Sequence, residues 1–187
     1  EWVDRNVVSG LSSGEGLIWA VRDPIYKQEP IKEKGRITEY QDVMIDSGIS
    51  DKRLFVIEEE FTSTIKVMRR ESNILSAVIR QAWDDGNLRT LTKNNPARST
   101  GAHISILGHI TQDELVRYLE DTETGNGFAN RFLWVAVRRS KALPGGGDLH
   151  QDDIDEMGDE LAAAISKAKH IGLMTRDARA NELWYEI

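Results

Sequence analysis

The sequence predicts an α/β fold with a mainly parallel sheet flanked by helices. Leu54-Phe55-Val56-Ile57 is an unbroken β-prone apolar run, followed at once by Glu58-Glu59-Glu60. Such a run reads as a strand buried on both faces. His103–Ile110 and Phe132–Val137 are further runs that alternate too little for surface strands. Helical stripes separate them, and buried strands alternating with helices argue for a parallel sheet.

The elements follow in order. Leu11, Leu17, Ile18 and Val21 make a partial helical stripe, opened by Ser12-Ser13-Gly14-Glu15 and closed by Asp23-Pro24. Residues 24–51 are polar and lysine-rich and read as loop, with a short strand at Tyr40–Ile45. After the acidic strand, Ile65, Met68, Leu75, Val78, Ile79 and Ala82 share one face of a helix that Asp84-Asp85-Gly86-Asn87 stops. Leu88–Thr92 and Ala97–Thr100 read as a hairpin with the polar tip Lys93-Asn94-Asn95-Pro96. Thr111-Gln112-Asp113-Glu114 is a capping box, opening a helix with Leu115, Tyr118 and Leu119 inward. Gly125-Asn126-Gly127 is a turn, and Pro144-Gly145-Gly146-Gly147 is the clearest linker. Beyond it Ile154, Met157, Leu161, Ile165 and Ala168 form a helical stripe, with acids early and Lys167, Lys169 and His170 late, as the helix dipole favours.

Bulk properties narrow the classes. At 187 residues, 40% hydrophobic and 29% charged, the chain suits one globular domain with a real core. The absence of cysteine excludes disulfides, thiolate zinc sites and cysteine nucleophiles. No apolar run approaches the roughly 20 residues that span a bilayer, and no signal peptide is visible, so the expected compartment is the cytoplasm, without a membrane partner. A net charge of -7 argues against a generally DNA-coating protein but leaves room for a local basic patch. Glu1-Trp2-Val3 is not an initiator start, and the helical stretch Thr175–Ile187 stops without a cap. The expectation is an internal piece of a larger protein.

Several constellations could carry chemistry. Acids that follow a buried strand sit where the sheet opens, and in open α/β sheets ligands bind at that carboxyl end. The layout is that of a Walker B strand, in which one acid holds Mg²⁺ through water and the next polarises the attacking water. Glu58 is assigned to the metal, Glu59 to the water, and Glu60 to a solvated turn; the alternative is a plain acidic turn. His109, after Gly108 at the end of the next strand, stands where a side chain could sense a γ-phosphate, or be satisfied by backbone. His103 cannot share a metal with it, because six residues of strand set them about 20 Å apart. Arg131, after Asn130 and before a strand, could reach a neighbouring subunit's nucleotide as an arginine finger, or pair with Glu123 or Asp121. Arg89, Lys93, Asn94, Asn95 and Arg98 on the hairpin suit phosphate contacts along a nucleic-acid backbone, or form a solvated turn. The glycine-rich Gly10–Gly16 lacks the G-x-x-x-x-G-K-[ST] pattern and carries Glu15, so it is rejected as a phosphate cradle.

The order of these signals resembles the core of AAA+-type helicases. Arg70–Ile110 resembles the part of the MCM replicative helicases in which a lysine-tipped hairpin precedes the sensor strand, and Asn130-Arg131-Phe132 resembles their arginine-finger segment. More closely, Val8–Ile18, Asp51–Phe61, Gly101–Ile110 and Asn126–Phe132 resemble the primase-associated helicase-like P-loop ATPases of phages, plasmids and mobile elements, a family known mostly as a domain of unknown function. The resemblance implies a P-loop NTPase-like core over residues 1–143, a linker at 144–147 and a helical extension at 148–187. It implies ATP and Mg²⁺ as cofactors of the full-length protein, with Glu58 at the metal and Glu59, His109 and Arg131 catalytic. It also implies DNA as a partner and self-association in a ring or filament. The Walker A strand, loop and helix are missing from this sequence, and Glu58 stands where aspartate is usual. The implied function is therefore a fragment of a DNA-replication ATPase, inactive alone, that needs the rest of its polypeptide. The rival readings are a non-catalytic interaction module and a metal-dependent nuclease built on the Glu58 cluster.

Overall fold

A computed structural model of the chain describes residues 1–91, 97–119 and 125–186. It divides into two units, Glu1–Val135 and Ala136–Ile187. The first unit is α/β. Its sheet holds three parallel strands in the order β1-β4-β7: β1 (Val7–Val8), β4 (Arg53–Glu58) and β7 (His103–Gly108). The register runs from Arg53 opposite His103 to Glu58 opposite Gly108. Helices α1 (Trp2–Asn6), α2 (Gly14–Ala20), α3 (Phe61–Met68), α4 (Leu75–Asp84) and α5 (Gln112–Tyr118) accompany it.

The apolar spacing explains the core. Leu17, Ile18 and Val21 of α2 and its cap, Leu54 and Val56 of β4, Phe61, Ile65 and Met68 of α3, and Leu75, Val78 and Ile79 of α4 form one buried cluster. Ser13 caps α2 by accepting from the Gly16 amide at 3.0 Å, and Thr111 caps α5 through the Glu114 amide as the capping box predicted.

Three expectations are corrected. Residues 24–51 are not a loop: β2 (Ile25–Glu33) and β3 (Arg36–Asp46) pair as a long antiparallel ribbon. Both its faces are largely solvent-exposed, so it has no buried face to impose an alternating pattern. Its turn is Lys34-Gly35, both with positive φ, as the type I′ turn that suits strand twist requires. The single helix expected from Ile65 to Ala82 is two helices. Ser72 takes φ 66°, and the Asn73 side chain accepts from the Leu75 amide to restart the helix. The interval from Met68 to Leu75 is two helical turns, so the apolar stripe keeps its phase across the break and the sequence hides it.

Phe132–Val137 joins no ladder. Phe132 instead packs its ring against Phe61, Phe128 and Trp134 at 5.4, 5.0 and 5.6 Å, while Leu133, Val135 and Val137 are exposed. A strand needs a neighbour for its backbone, and among the described residues none pairs with this stretch.

The hairpin base is observed as β5 (Leu88–Arg89) and β6 (Arg98–Ser99). Its tip, with Lys93, Asn94 and Asn95, lies outside the described residues. The second unit contains α6 (Gln151–Ala168) and α7 (Ala178–Glu186). The stripe of Ile154, Met157, Leu161 and Ile165 on α6 is exposed. Among the described residues no helix is long and apolar enough to cross a membrane.

The end of α2 is the junction of the first unit. Lys52 Nζ donates to the Val21 and Arg22 carbonyls at 2.7 and 2.6 Å and to Asp23 Oδ1 at 2.9 Å, which neutralises the helix's C-terminal carbonyls. Arg22 pairs with Asp46 at 2.9 Å, closing the root of the ribbon. The Asp23 amide donates to the Arg98 carbonyl at 2.8 Å, and Thr100 Oγ1 donates to Asp23 Oδ2 at 2.7 Å.

Burial by itself would raise the Asp23 pKa. The hydrogen bonds from Thr100 and Lys52 together outweigh it and hold the carboxyl below its usual range. The unfolded chain therefore binds this proton more readily than the folded one. Asp23's contribution is complete above its ordinary pKa, about 3.9, and fades as pH falls through the lower folded value. In urea titrations repeated from neutral pH into acid, Asp23→Asn is expected to show a shallower loss of stability than the wild type; parallel losses would contradict this.

Candidate functional site

The candidate site is the carboxyl end of β4 and β7. Along β4 the side chains alternate, with Leu54, Val56 and Glu58 buried together. Glu58 thus belongs to the core face and is only 8% exposed. A carboxylate in that setting needs compensation, and the loop after β1 provides it. The amides of Gly10 and Leu11 both donate to Glu58 Oε1 at 2.7 Å. These are short, charge-assisted bonds. The loop rejected as a phosphate cradle does bind an anion through its amides, and that anion is the chain's own Glu58.

Glu59 and Glu60 are exposed in the turn that leads to α3. Glu60 occupies the N-cap position without capping through its side chain. His109 is exposed beside them, and backbone bonds hold it there. Its amide donates to the Glu58 carbonyl at 2.9 Å, and its carbonyl accepts from the Phe61 amide at 2.8 Å. Gly108 permits this close approach: a Cβ there would stand 2.7 Å from the Phe61 ring. Glu58, Glu59 and His109 are therefore brought to one rim, the first buried and the other two open to solvent.

Arg131 lies in a short 3-10 turn, Ala129–Arg131, one residue from the Phe132 ring that packs on Phe61. Its guanidinium does not project freely. One nitrogen donates to the Gly127 carbonyl at 2.8 Å and another pairs with Asp84 Oδ1, at the end of α4, at 3.0 Å. The ion-pair alternative anticipated Glu123 or Asp121, which lie outside the described residues; the observed partner is Asp84.

Arg89 and Arg98 stand directly opposite each other on the β5–β6 hairpin, and both are exposed. Their nucleic-acid companions in the sequence reading, Lys93 and Asn94, are outside the described residues. Among the described residues no group of three or more His, Cys, Asp or Glu is arranged to hold a metal.

Sequence reasoning missed the Gly10 and Leu11 amides and the Asp84 partner. The usable signal was Gly10, two residues beyond the short apolar pair Val7-Val8; in the structure it takes φ 88°. Nothing near Arg131 in sequence pointed to Asp84, 47 residues away.

The fold and site define an α/β chain with a small three-stranded parallel sheet flanked by helices, whose strand ends carry an acidic turn and a histidine. No family model, curated protein or solved structure matches it.

Replacing Glu58 takes the acceptor from two part-buried amide bonds. Glu58→Ala is expected to cost about 2–3 kcal/mol and Glu58→Gln, which keeps an acceptor, less. Urea unfolding measures both, and equal stability of Glu58→Ala and wild type would contradict the assignment. Gly108→Ala is expected to cost about 1–3 kcal/mol through displacement of Phe61, read in the same assay.

Proposed function

We propose that this chain is the acid-and-sensor part of a P-loop-type ATPase core from a helicase-like DNA-replication protein. The observation that carries the reading is Glu59 and His109 side by side at the carboxyl ends of adjacent parallel strands, where α/β sheets bind ligands. Glu59 acts as the base that polarises water, and His109 as the group that senses the terminal phosphate. Glu58 anchors its loop through Oε1, which leaves Oε2 as its one oxygen for a magnesium ion's water shell.

The sheet edge supports the same reading. The His103 and His109 amides donate toward β4, so by alternation those of Ile104 and Ile106 point to the other edge. No strand pairs there among the described residues. A further strand leading into a phosphate-binding loop, from another part of the polypeptide, would fit that edge. The residues of this chain do not by themselves fit a nucleotide: the Gly10 and Leu11 amides are taken by Glu58 and the Gly16 amide by Ser13. ATP and Mg²⁺ would therefore be held jointly with that loop. DNA would contact the hairpin through Arg89, Arg98, Lys93 and Asn94. Self-association would supply the neighbour that Arg131 serves, and that role requires Arg131 to leave Asp84.

The occupied loop amides favour a second reading, an interaction module without catalysis. The two separate in a polypeptide that joins this chain to its phosphate-binding loop. Glu59→Gln is expected to lower ATP turnover at least about 100-fold while nucleotide binding persists; unchanged turnover would remove Glu59 from the chemistry, and no turnover in the wild type would favour the module. Lys93→Ala is expected to flatten the salt dependence of DNA binding by about one unit.

A further inference from the structure

A cleft of about 440 Å³ opens where the ribbon leaves the body of the first unit, and its walls include Trp19, Pro24, Tyr26 and Arg98. The volume lies within the range of small-ligand sites, about 300–1,000 Å³. Its two aromatic walls are partly open to solvent. Trp19 is 44% exposed and Tyr26 59%. The Arg22 guanidinium lies 4.2 Å from the centre of the Trp19 ring, covering one face of the indole and fixing its plane. Pairing with Asp46 holds Arg22 itself, so the ring is mounted on a rigid support.

The rim carries more positive than negative charge. Asp46 answers Arg22, and Lys52 answers Asp23 at 2.9 Å. Arg98 reaches Asp23 only at 3.6 Å and with its side chain 74% exposed. Arg89 faces Arg98 directly across the hairpin. Like charges placed opposite each other on a strand pair are destabilising unless an anion lies between them. Two surplus guanidiniums beside two open aromatic faces match the backbone and the bases of one ligand class.

We infer that this cleft binds single-stranded nucleic acid, with a base stacked against Trp19 and Tyr26 and the adjoining phosphates on Arg89 and Arg98. Stacking on aromatic side chains tolerates any sequence, because every base has a π-face. The inference deepens the nucleic-acid half of the proposed function and rests on it, but it does not need the ATPase half.

The test is fluorescence anisotropy on the whole chain at low salt, with a labelled oligothymidylate, an abasic strand of the same length and a duplex. The wild type is expected to prefer oligothymidylate to both. Tyr26→Ala and Trp19→Ala should each weaken oligothymidylate binding about tenfold and leave abasic-strand binding unchanged, and Tyr26→Phe should restore it. Tyr26 is exposed and makes no side-chain hydrogen bond to a described residue, so its variant reports on binding even if Trp19→Ala impairs folding. Arg98→Ala should weaken both strands and flatten the salt slope by about one. Equal wild-type affinity for the abasic strand, or no effect of Tyr26→Ala, would overturn the stacking site while leaving hairpin–phosphate contact standing. Failure to bind any strand would overturn both.

Discussion

The structure of the first unit turns on a buried carboxylate held by two backbone amides. Glu58 ends the middle strand of the sheet, and an ionised group on the core face of that strand is tolerated only if its charge is met. The Gly10 and Leu11 amides meet it. In doing so they fix the path of the chain from β1 into α2. The Glu58 carbonyl, through the His109 amide, fixes the exit of β7. One side chain and its own backbone thus register three strands and the start of a helix at the edge where the chemistry is proposed.

That arrangement divides the acids by role. Glu58 is committed to the fold through Oε1, and its neighbour Glu59 is free at the surface. Glu58 is the last residue of β4 on its buried side, and Glu59 begins the exposed turn after it. Arg131 is likewise committed, by its pair with Asp84. The aromatic group of Phe61, Phe128, Phe132 and Trp134 then ties the Arg131 turn to the start of α3. At the other end of the unit, the junction of Arg22, Asp23, Asp46 and Lys52 does comparable work for α2, the ribbon and the hairpin. Its consequence is the aromatic cleft, which exists only because the ribbon root and the hairpin base are stitched to the same two residues.

Much of the frame was legible from residue pattern. β4 was visible because an unbroken apolar run has few other uses, and α2 and α5 because their caps and stripes agree; β7 was visible as a strand, but it is an edge strand with alternating exposure and not the buried strand expected. The ribbon was hidden: a two-stranded element solvated on both sides buries too little to leave an apolar alternation, and the Lys34-Gly35 turn was its one local cue. The stretch from Phe132 misled in the opposite direction, since apolar content was read as strand where the side chains serve an aromatic cluster and the backbone has no partner. At the site, the juxtaposition of the acid turn with His109 was readable, because both follow strands that pair. The burial of Glu58 was not readable, because it depends on amides 47 and 48 residues away. Nor was the cleft, whose Trp19, Tyr26 and Arg98 come from three separate elements.

The most direct measurement of the central claim is amide hydrogen exchange at Gly10 and Leu11. If the Glu58 carboxylate holds this loop, both amides exchange as slowly as those of β4, although no backbone ladder protects them, and they become fast in Glu58→Ala while the β4 amides stay slow. Exchange at the rate of an open loop in the wild type would contradict the account.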